Sequence, residues 1–124
     1  RPFAPSILEE HVKNYYNINH TSPYMSLTAE VLENKKHLIP AVIHVDNTSR
    51  IHTVNRKTNP LYYDLINNFY SITNVPVLLN TSFNIQEPIV YSPEDAIQTF
   101  LNSDVDILCI GNYYCDENWR KNLN

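Results

Sequence analysis

Small hydrogen-bonding side chains follow directly after an apolar stretch in the middle of the chain. The stretch 75–79, VPVLL, is typical of a buried strand, and the run 80–84, NTSFN, then places amides and hydroxyls around one Phe. Such side chains can hydrogen-bond a small polar ligand with little loss of conformational entropy, and ligand sites in α/β sheets lie outside strand ends. They could also satisfy backbone groups of a turn, and the pattern alone favours that simpler interpretation.

Arg50 is the second candidate for chemistry. It follows the turn-forming run 46–49, DNTS, and opens a predicted strand, RIHTV. A guanidinium at a strand end can hold phosphate oxygens in bidentate geometry and can offset charge that develops in phosphoryl or acyl transfer. The alternative is a surface arginine paired with an aspartate, which is the commoner situation for this residue type.

Three further side chains have the types that bind metal ions. His44 and Asp46 are two residues apart, so on a strand they share a face, and His52 follows nearby. A metal site would require two strands to bring His52 next to His44 and Asp46. We favour the simpler interpretation that His44 lines or braces a pocket through hydrogen bonds, and we predict no metal site.

Period-two patterns and apolar runs predict the strands that would position these groups. The stretch 25–32, MSLTAEVL, alternates apolar and polar residues, and RIHTV and VPVLL are shorter strands. A last buried strand, or a pair of strands, is predicted in 105–115, VDILCIGNYYC.

Capping signals predict three helices. Ser6 and Glu9 form a capping box that predicts a helix over about residues 6–17. The other two helices begin with a cap followed by proline, Asn59–Pro60 and Ser92–Pro93. Strands interrupted by helices, with no repeat or linker, indicate an α/β layer structure. In the second helix one face carries Leu61, Leu65, Phe69 and Ile72.

Length and composition narrow the class of protein. A chain of 124 residues with 43% hydrophobic and 18% charged residues is typical of one globular domain, which we place at 1–124. The net charge of −4 gives no electrostatic footprint for nucleic acid or an anionic membrane. No apolar run is long enough for a transmembrane helix.

Two residue types add constraints. Gly111 is the only glycine, which excludes a P-loop or a G-x-G-x-x-G fingerprint and leaves asparagines to occupy positive-φ positions. Cys109 lies in an apolar run, so we expect a buried free thiol, a reducing compartment and, by default, the cytoplasm. The opening RPFAPS has neither an initiator Met nor a signal peptide, so we expect a piece of a longer chain.

Four blocks that cover nearly the whole chain carry a resemblance to a known family. They are RPFAPSILEE, SPYMSLTAEV, IPAVIHVDNTSRIHTV and VPVLLNTSFNIQEPIVYSPEDAIQTFLNSDVDILCIG. In order and spacing they resemble the C-terminal, YrdC-like domain of the NodU/CmcH-type O-carbamoyltransferases.

The resemblance implies a fragment of an ATP-dependent O-carbamoyltransferase. Members of the family have a larger N-terminal domain of the actin-like ATPase class, which carries a metal and the acceptor site. Their C-terminal domain makes carbamoyl adenylate from carbamoyl phosphate and ATP, and the carbamoyl group passes to a hydroxyl of the acceptor. The implied partner is therefore the missing N-terminal domain, with Mg²⁺ expected alongside the nucleotide.

The resemblance also implies roles for residues that follow the apolar stretch. SFN is similar to the Ser-x-Asn element of YrdC-like domains, so Ser82 and Asn84 would contact phosphate, carbamoyl or ribose groups. Asn80 and Thr81 would shape the same wall. In the loop that follows, NIQEP is one residue shorter than the family's Asn-x-x-Gly-Glu-Pro and has no glycine.

Two arginines are implied as cationic groups of the same site. DNTSR is similar to the family's Asp-Gly-Thr-Ala-Arg, which makes Arg50 a catalytic candidate with Ser82, and Asn47 replaces the glycine at positive φ. Arg1 corresponds to the arginine of the family's RPFAP segment.

If Arg50 and Ser82 share one pocket, their strands cannot all be parallel. We therefore predict a mixed, twisted sheet with helices packed on it, part of a YrdC-like domain, with both side chains converging on a common cleft. Two other functions fit the same residues: a module that binds nucleotide or carbamoyl phosphate without turnover, and a domain used for protein–protein contact.

Overall fold

The computed structural model of the chain describes residues 3–85 and 88–123. These residues form two units, one that ends at Thr81 and one that begins at Ser82. Each unit has its own hydrophobic core.

A mixed four-stranded sheet organises the first unit. Its strands are β1 Ala4–Leu8, β2 Leu27–Glu30, β3 Thr48–Val54 and β4 Val77–Asn80, in the order β2-β3-β1-β4. Strand β1 is parallel to β3 and antiparallel to β4, and β2 is antiparallel to β3. The predicted mixed sheet is confirmed, and its topology places the start of β3 and the end of β4 at the same end of the sheet.

The predicted helix over residues 6–17 is wrong. Ser6, expected as its cap, is fully buried in β1 and lies opposite His52 on one side and Leu78 on the other. Pairing with two strands satisfies the backbone of this segment and outweighs the local capping signal. Helical structure begins only afterwards, with the 3-10 turn Glu9–His11 and the short helix α1 Val12–Tyr15.

The helix predicted after Asn59 is confirmed as α2, Pro60–Thr73. It begins at the predicted proline and ends at Asn74, whose φ of 61° is one of the positive-φ positions expected for asparagine. Two 3-10 segments, Glu33–Leu38 and Pro40–Val42, connect β2 to β3.

Both faces of the sheet are covered at least in part. One face packs Ile7, Ile51 and Val77 against residues that include Val12 and Tyr16. On the other face, Leu8 and Val54 pack against Tyr63 and Ile66 of α2. Because side chains alternate along a strand, the second face also carries the even-numbered residues of β3 and β4.

The face of α2 that carries Leu61, Leu65, Phe69 and Ile72 is not the face that packs on the sheet. Leu61 and Ile72 are each 85% exposed. The helix has two adjacent apolar stripes, and the one with Tyr63 and Ile66 is buried.

The second unit contains α3 Pro93–Leu101, β5 Leu108–Ile110, β6 Tyr113–Cys115 and α4 Glu117–Asn122. Strands β5 and β6 pair in antiparallel fashion. The predicted cap of α3 is confirmed, because the hydroxyl of Ser92 accepts a hydrogen bond from the backbone N–H of Asp95 at 3.1 Å.

Cys109 is exposed, so the prediction of a buried thiol is wrong. It lies on β5 next to the buried Leu108, and alternation along the strand directs the two side chains to opposite faces of a two-stranded sheet. Both cysteines are free thiols. Across residues 3–85 and 88–123, no helix has the length and apolar character that crossing a membrane requires.

Candidate functional site

A polar cluster of three side chains joins three neighbouring strands of the first unit. Ser6 of β1 lies with its Oγ 3.0 Å from Nδ1 of His52 on β3. The amide of Asn80, at the end of β4, donates to Ser6 Oγ at 3.1 Å and to His52 Nδ1 at 3.2 Å. Because the amide nitrogen can only donate, Nδ1 is an acceptor and the neutral imidazole carries its proton on Nε2.

Burial lowers the pKa of His52 below its usual value. The ring is therefore neutral at pH 7, and its Nε2–H is a donor that forms no hydrogen bond within residues 3–85 and 88–123. The ring of Tyr62 lies 6.1 Å away, measured between centroids.

Arg50 shares this face of the sheet. It precedes His52 by two residues on β3, and it lies opposite Thr28 of β2. Its side chain is exposed and forms neither a hydrogen bond nor an ion pair with any residue that the structure describes. Since β3 begins where β4 ends, the guanidinium and Asn80 lie at the same end of the sheet.

The turn before β3 is held by its own residues. The carboxylate of Asp46 accepts hydrogen bonds from Thr48 N–H at 3.1 Å and from Thr48 Oγ1 at 2.7 Å. These bonds, together with the nearby His44, hold the pKa of Asp46 below its usual range. Asn47 has a φ of 69°, which confirms that asparagine occupies a position suited to glycine.

His44 is half-buried beside this turn, and its backbone N–H donates to the carbonyl of Thr48 at 2.8 Å. Its imidazole forms no hydrogen bond within the described part of the chain, so its predicted role in lining a pocket stays a prediction. No group of three or more His, Cys, Asp or Glu side chains among residues 3–85 and 88–123 is arranged to hold a metal ion.

A cleft of about 370 Å³ lies beside the ring of His52, and its lining includes Glu9, Tyr24 and Asn55. Asn59, at the N-terminus of α2, also lines it, and its side chain forms no capping hydrogen bond. The amide groups at that end carry a partial positive charge, which the carboxylate of Glu9 in the same lining opposes.

The hydrogen bonds of this cluster include none of the other residues predicted for the site that the structure describes. Thr81 is exposed at the end of the first unit. In the second unit, Ser82 Oγ donates to Asn84 Oδ1 at 2.9 Å. Arg1 lies outside the described residues, as do the two central residues of the NIQEP loop, Gln86 and Glu87.

The sequence alone did not single out Ser6 as a site residue, and it raised His52 only as a metal ligand. Ser6 was assigned to a helix cap because of the glutamate three residues later. The signal that could have found Ser6 is a polar residue within the otherwise apolar segment APSIL, since a buried polar side chain needs a partner. His52 lies in TSRIHTV, which has several polar residues, so this signal does not single it out.

The first unit is an α/β domain with a hydrogen-bonded polar cluster on one face of its sheet, and on the same face lies a guanidinium that has no partner among the described residues. A family model described as carbamoyltransferase C-terminus matches residues 1–117. The chain therefore belongs to the carbamoyltransferase C-terminus family, as its sequence blocks predicted.

Relatives of this chain occur in bacteria and archaea. Nodulation protein NolO of Bradyrhizobium diazoefficiens is 49% identical over 115 residues, which are 90% of this chain and 21% of NolO. Nodulation protein NolNO of Sinorhizobium fredii is 47% identical over 117 residues, 91% of this chain and 17% of the relative. An uncharacterized protein of Methanocaldococcus jannaschii is 44% identical over 113 residues, 90% of this chain and 22% of the relative. The chain spans about one-fifth of the length of these relatives.

Proposed function

We propose that this chain is the C-terminal part of an ATP-dependent O-carbamoyltransferase. In this proposal its domain forms carbamoyl adenylate from carbamoyl phosphate and ATP, and the carbamoyl group then passes to a hydroxyl of an acceptor. The observation that carries the proposal is Arg50, which has no partner among the described residues and lies on the same sheet face as the Ser6–His52–Asn80 cluster, in a chain that belongs to the carbamoyltransferase C-terminus family.

Arg50 is the proposed phosphate clamp. Both proposed steps, cleavage of carbamoyl phosphate and attack of carbamate on the α-phosphorus of ATP, increase negative charge on phosphate oxygens. A guanidinium that has no partner among residues 3–85 and 88–123 can give its donors to those oxygens without first breaking an ion pair with any of them. No side-chain nucleophile is needed, so positioning and charge stabilisation supply the catalysis.

The polar cluster has the complementary groups for a carbamoyl unit. A carbamoyl group offers N–H donors and a carbonyl acceptor. Asn80 uses its amide nitrogen within the cluster, while its Oδ1 has no partner among the described residues and can accept from the carbamoyl N–H. The Nε2–H of His52 can donate to the carbonyl oxygen.

We assign Ser82, Asn84, Thr81, His44 and Arg1 to the same function from their positions in the family's motifs. The described residues supply no cage of acidic or histidine ligands, so Mg²⁺ would be bound mainly by the phosphates of the nucleotide. The acceptor would be bound by the remainder of the longer polypeptide.

Calorimetric titration of this chain with ATP and with carbamoyl phosphate tests the binding part of the proposal. We expect saturable binding that Arg50→Ala weakens about 10- to 150-fold, the range for loss of a hydrogen bond to a charged group. Lys121→Ala, which removes an exposed charge on α4, is the matched control and should leave the affinity for both ligands unchanged. Absence of binding of both ligands to the folded chain would favour a protein-contact domain instead.

A non-catalytic binding module is the other function consistent with these groups. It would show the same titrations but no pyrophosphate release in the longer protein. Turnover in that protein, measured with carbamoyl phosphate and ATP present, therefore separates the two.

A further inference from the structure

We propose that the first unit contains a second ligand site, a basic cleft that binds a phosphate-type anion. The cleft has a volume of about 430 Å³, and its basic lining residues are His11, Lys13 and Lys35. It lies beyond the C-terminal end of β1, where Pro76, just before β4, also lines it. Arg50 and Asn80 are at the other end of the sheet, so this cleft is separate from the site proposed for carbamoyl transfer.

The charge of the cleft is not compensated by acidic groups. Its described lining includes no Asp or Glu. Lys36 forms an ion pair with Glu33, but neither Lys13 nor Lys35 forms an ion pair within residues 3–85 and 88–123. In a chain with a net charge of −4, a cleft whose described lining has no carboxylate, and whose two ammonium groups have no described ion-pair partner, attracts anions.

Aromatic rings hold two of the basic groups in place. Lys35 Nζ lies 5.1 Å from the ring centroid of the buried Tyr15. The ring of His11 packs edge-on against Tyr70, with 4.6 Å between centroids. Basic groups that are already positioned lose less conformational entropy when an anion binds.

The C-terminus of α2 opposes anion binding here. It contributes a partial charge of about −0.5. Its exposed carbonyls are partly satisfied, because Thr73 Oγ1 donates to Phe69 O at 2.8 Å and Asn74 N–H donates to Tyr70 O at 2.7 Å. Two ammonium groups outweigh this partial charge.

The remaining lining indicates the kind of phosphate. The cleft is larger than one phosphate ion requires, and the amides of Asn14, Asn34 and Asn74 can hydrogen-bond hydroxyl groups. A small organic phosphate would use both the basic groups and these amides, whereas free phosphate would use the basic groups alone.

An NMR titration of the ¹⁵N-labelled chain tests the site, with inorganic phosphate, glycerol 3-phosphate and sodium chloride of equal ionic strength as probes. We expect saturable shifts of residues 11–15, 32–35 and 70–76, separate from any shifts near Arg50, and at least about 10-fold weaker binding at these residues in Lys13→Gln/Lys35→Gln. Lys121→Gln and Arg50→Ala should leave the affinity that is measured at these residues unchanged. Tighter binding of glycerol 3-phosphate identifies an organic phosphate, and equal binding identifies the free anion.

Shifts of these residues that are linear, or that sodium chloride reproduces, would overturn the proposal. So would an unchanged affinity in a double variant whose amide spectrum shows that it is folded. Arg50→Ala is expected to weaken ATP binding but not the phosphate affinity measured at the basic cleft. Failure of one site is therefore distinguishable from failure of the other.

Discussion

At the scale of single residues, the hydrogen bond from Asn80 determines which ring nitrogen of His52 carries the proton. The Asn80 amide and the Ser6 hydroxyl both meet Nδ1, so the ring keeps its proton on Nε2 and presents a donor. Ser6 is fully buried, and His52 and Asn80 are half-buried, so removal of one partner would leave polar groups of the cluster without a hydrogen bond.

The lowered pKa of His52 predicts a specific dependence of stability on pH. The unfolded chain binds a proton at His52 at a higher pH than the folded chain does, so this contribution to stability is present above pH ~6.5 and is lost as pH falls through the folded pKa. Urea unfolding at pH 7.5 and pH 5.5 measures it. The loss between the two pH values should be smaller in His52→Gln than in the unmodified chain.

His20→Gln, at an exposed histidine, is the control and should keep the full loss. An identical decrease in all three proteins would show that protonation of His52 is not linked to folding.

At the scale of elements, α2 has a buried apolar stripe and an exposed one, and two adjacent residues of the helix represent them. Ile66 is fully buried against Leu8 and Val54, whereas Leu65 is 57% exposed. Ile66→Ala should lower the free energy of unfolding by about 2–4 kcal/mol, because it leaves a cavity. Leu65→Ala should cost less than about 1 kcal/mol. Urea unfolding of the two variants checks this, and equal losses would contradict the packing of α2.

The elements also show what could be predicted from the sequence and what could not. Helices α2 and α3 were predicted correctly because Asn59–Pro60 and Ser92–Pro93 are local signals that no distant pairing overrides. The mixed sheet was predicted only because Arg50 and Ser82, which follows β4, were expected to share one pocket. Residues 6–8 were misassigned to a helix because their strand conformation depends on pairing with β3 and β4, which are distant in sequence.

Side-chain burial was harder to predict than the elements themselves. Cys109 lies in an apolar run, but a two-stranded sheet exposes one face, and the run does not show which residues occupy it. The partnership of Ser6 with His52 depends on the register between β1 and β3, which no local pattern specifies.

At the scale of the whole molecule, the chain spans about one-fifth of the length of relatives such as NolO and NolNO. If the acceptor is bound by the remainder of the polypeptide, the 124-residue chain should fold but transfer no carbamoyl group. Incubation with carbamoyl phosphate, ATP and hydroxyl acceptors, followed by mass spectrometry, measures this. Carbamoylation of any acceptor by the chain alone would contradict the proposal that the remainder of the polypeptide binds the acceptor.

The central claim is that Arg50 stabilises charge on phosphate during carbamoyl transfer, and the rate of the longer enzyme with Arg50→Ala tests it most directly. We expect a folded protein whose rate falls by roughly 30- to 1000-fold, which corresponds to about 2–4 kcal/mol of transition-state stabilisation. Ser82→Ala should cost less, because it removes a neutral hydrogen bond. If Arg50→Ala instead unfolds the domain while its folded fraction keeps full specific activity, Arg50 has a structural role and the assignment of the site is wrong.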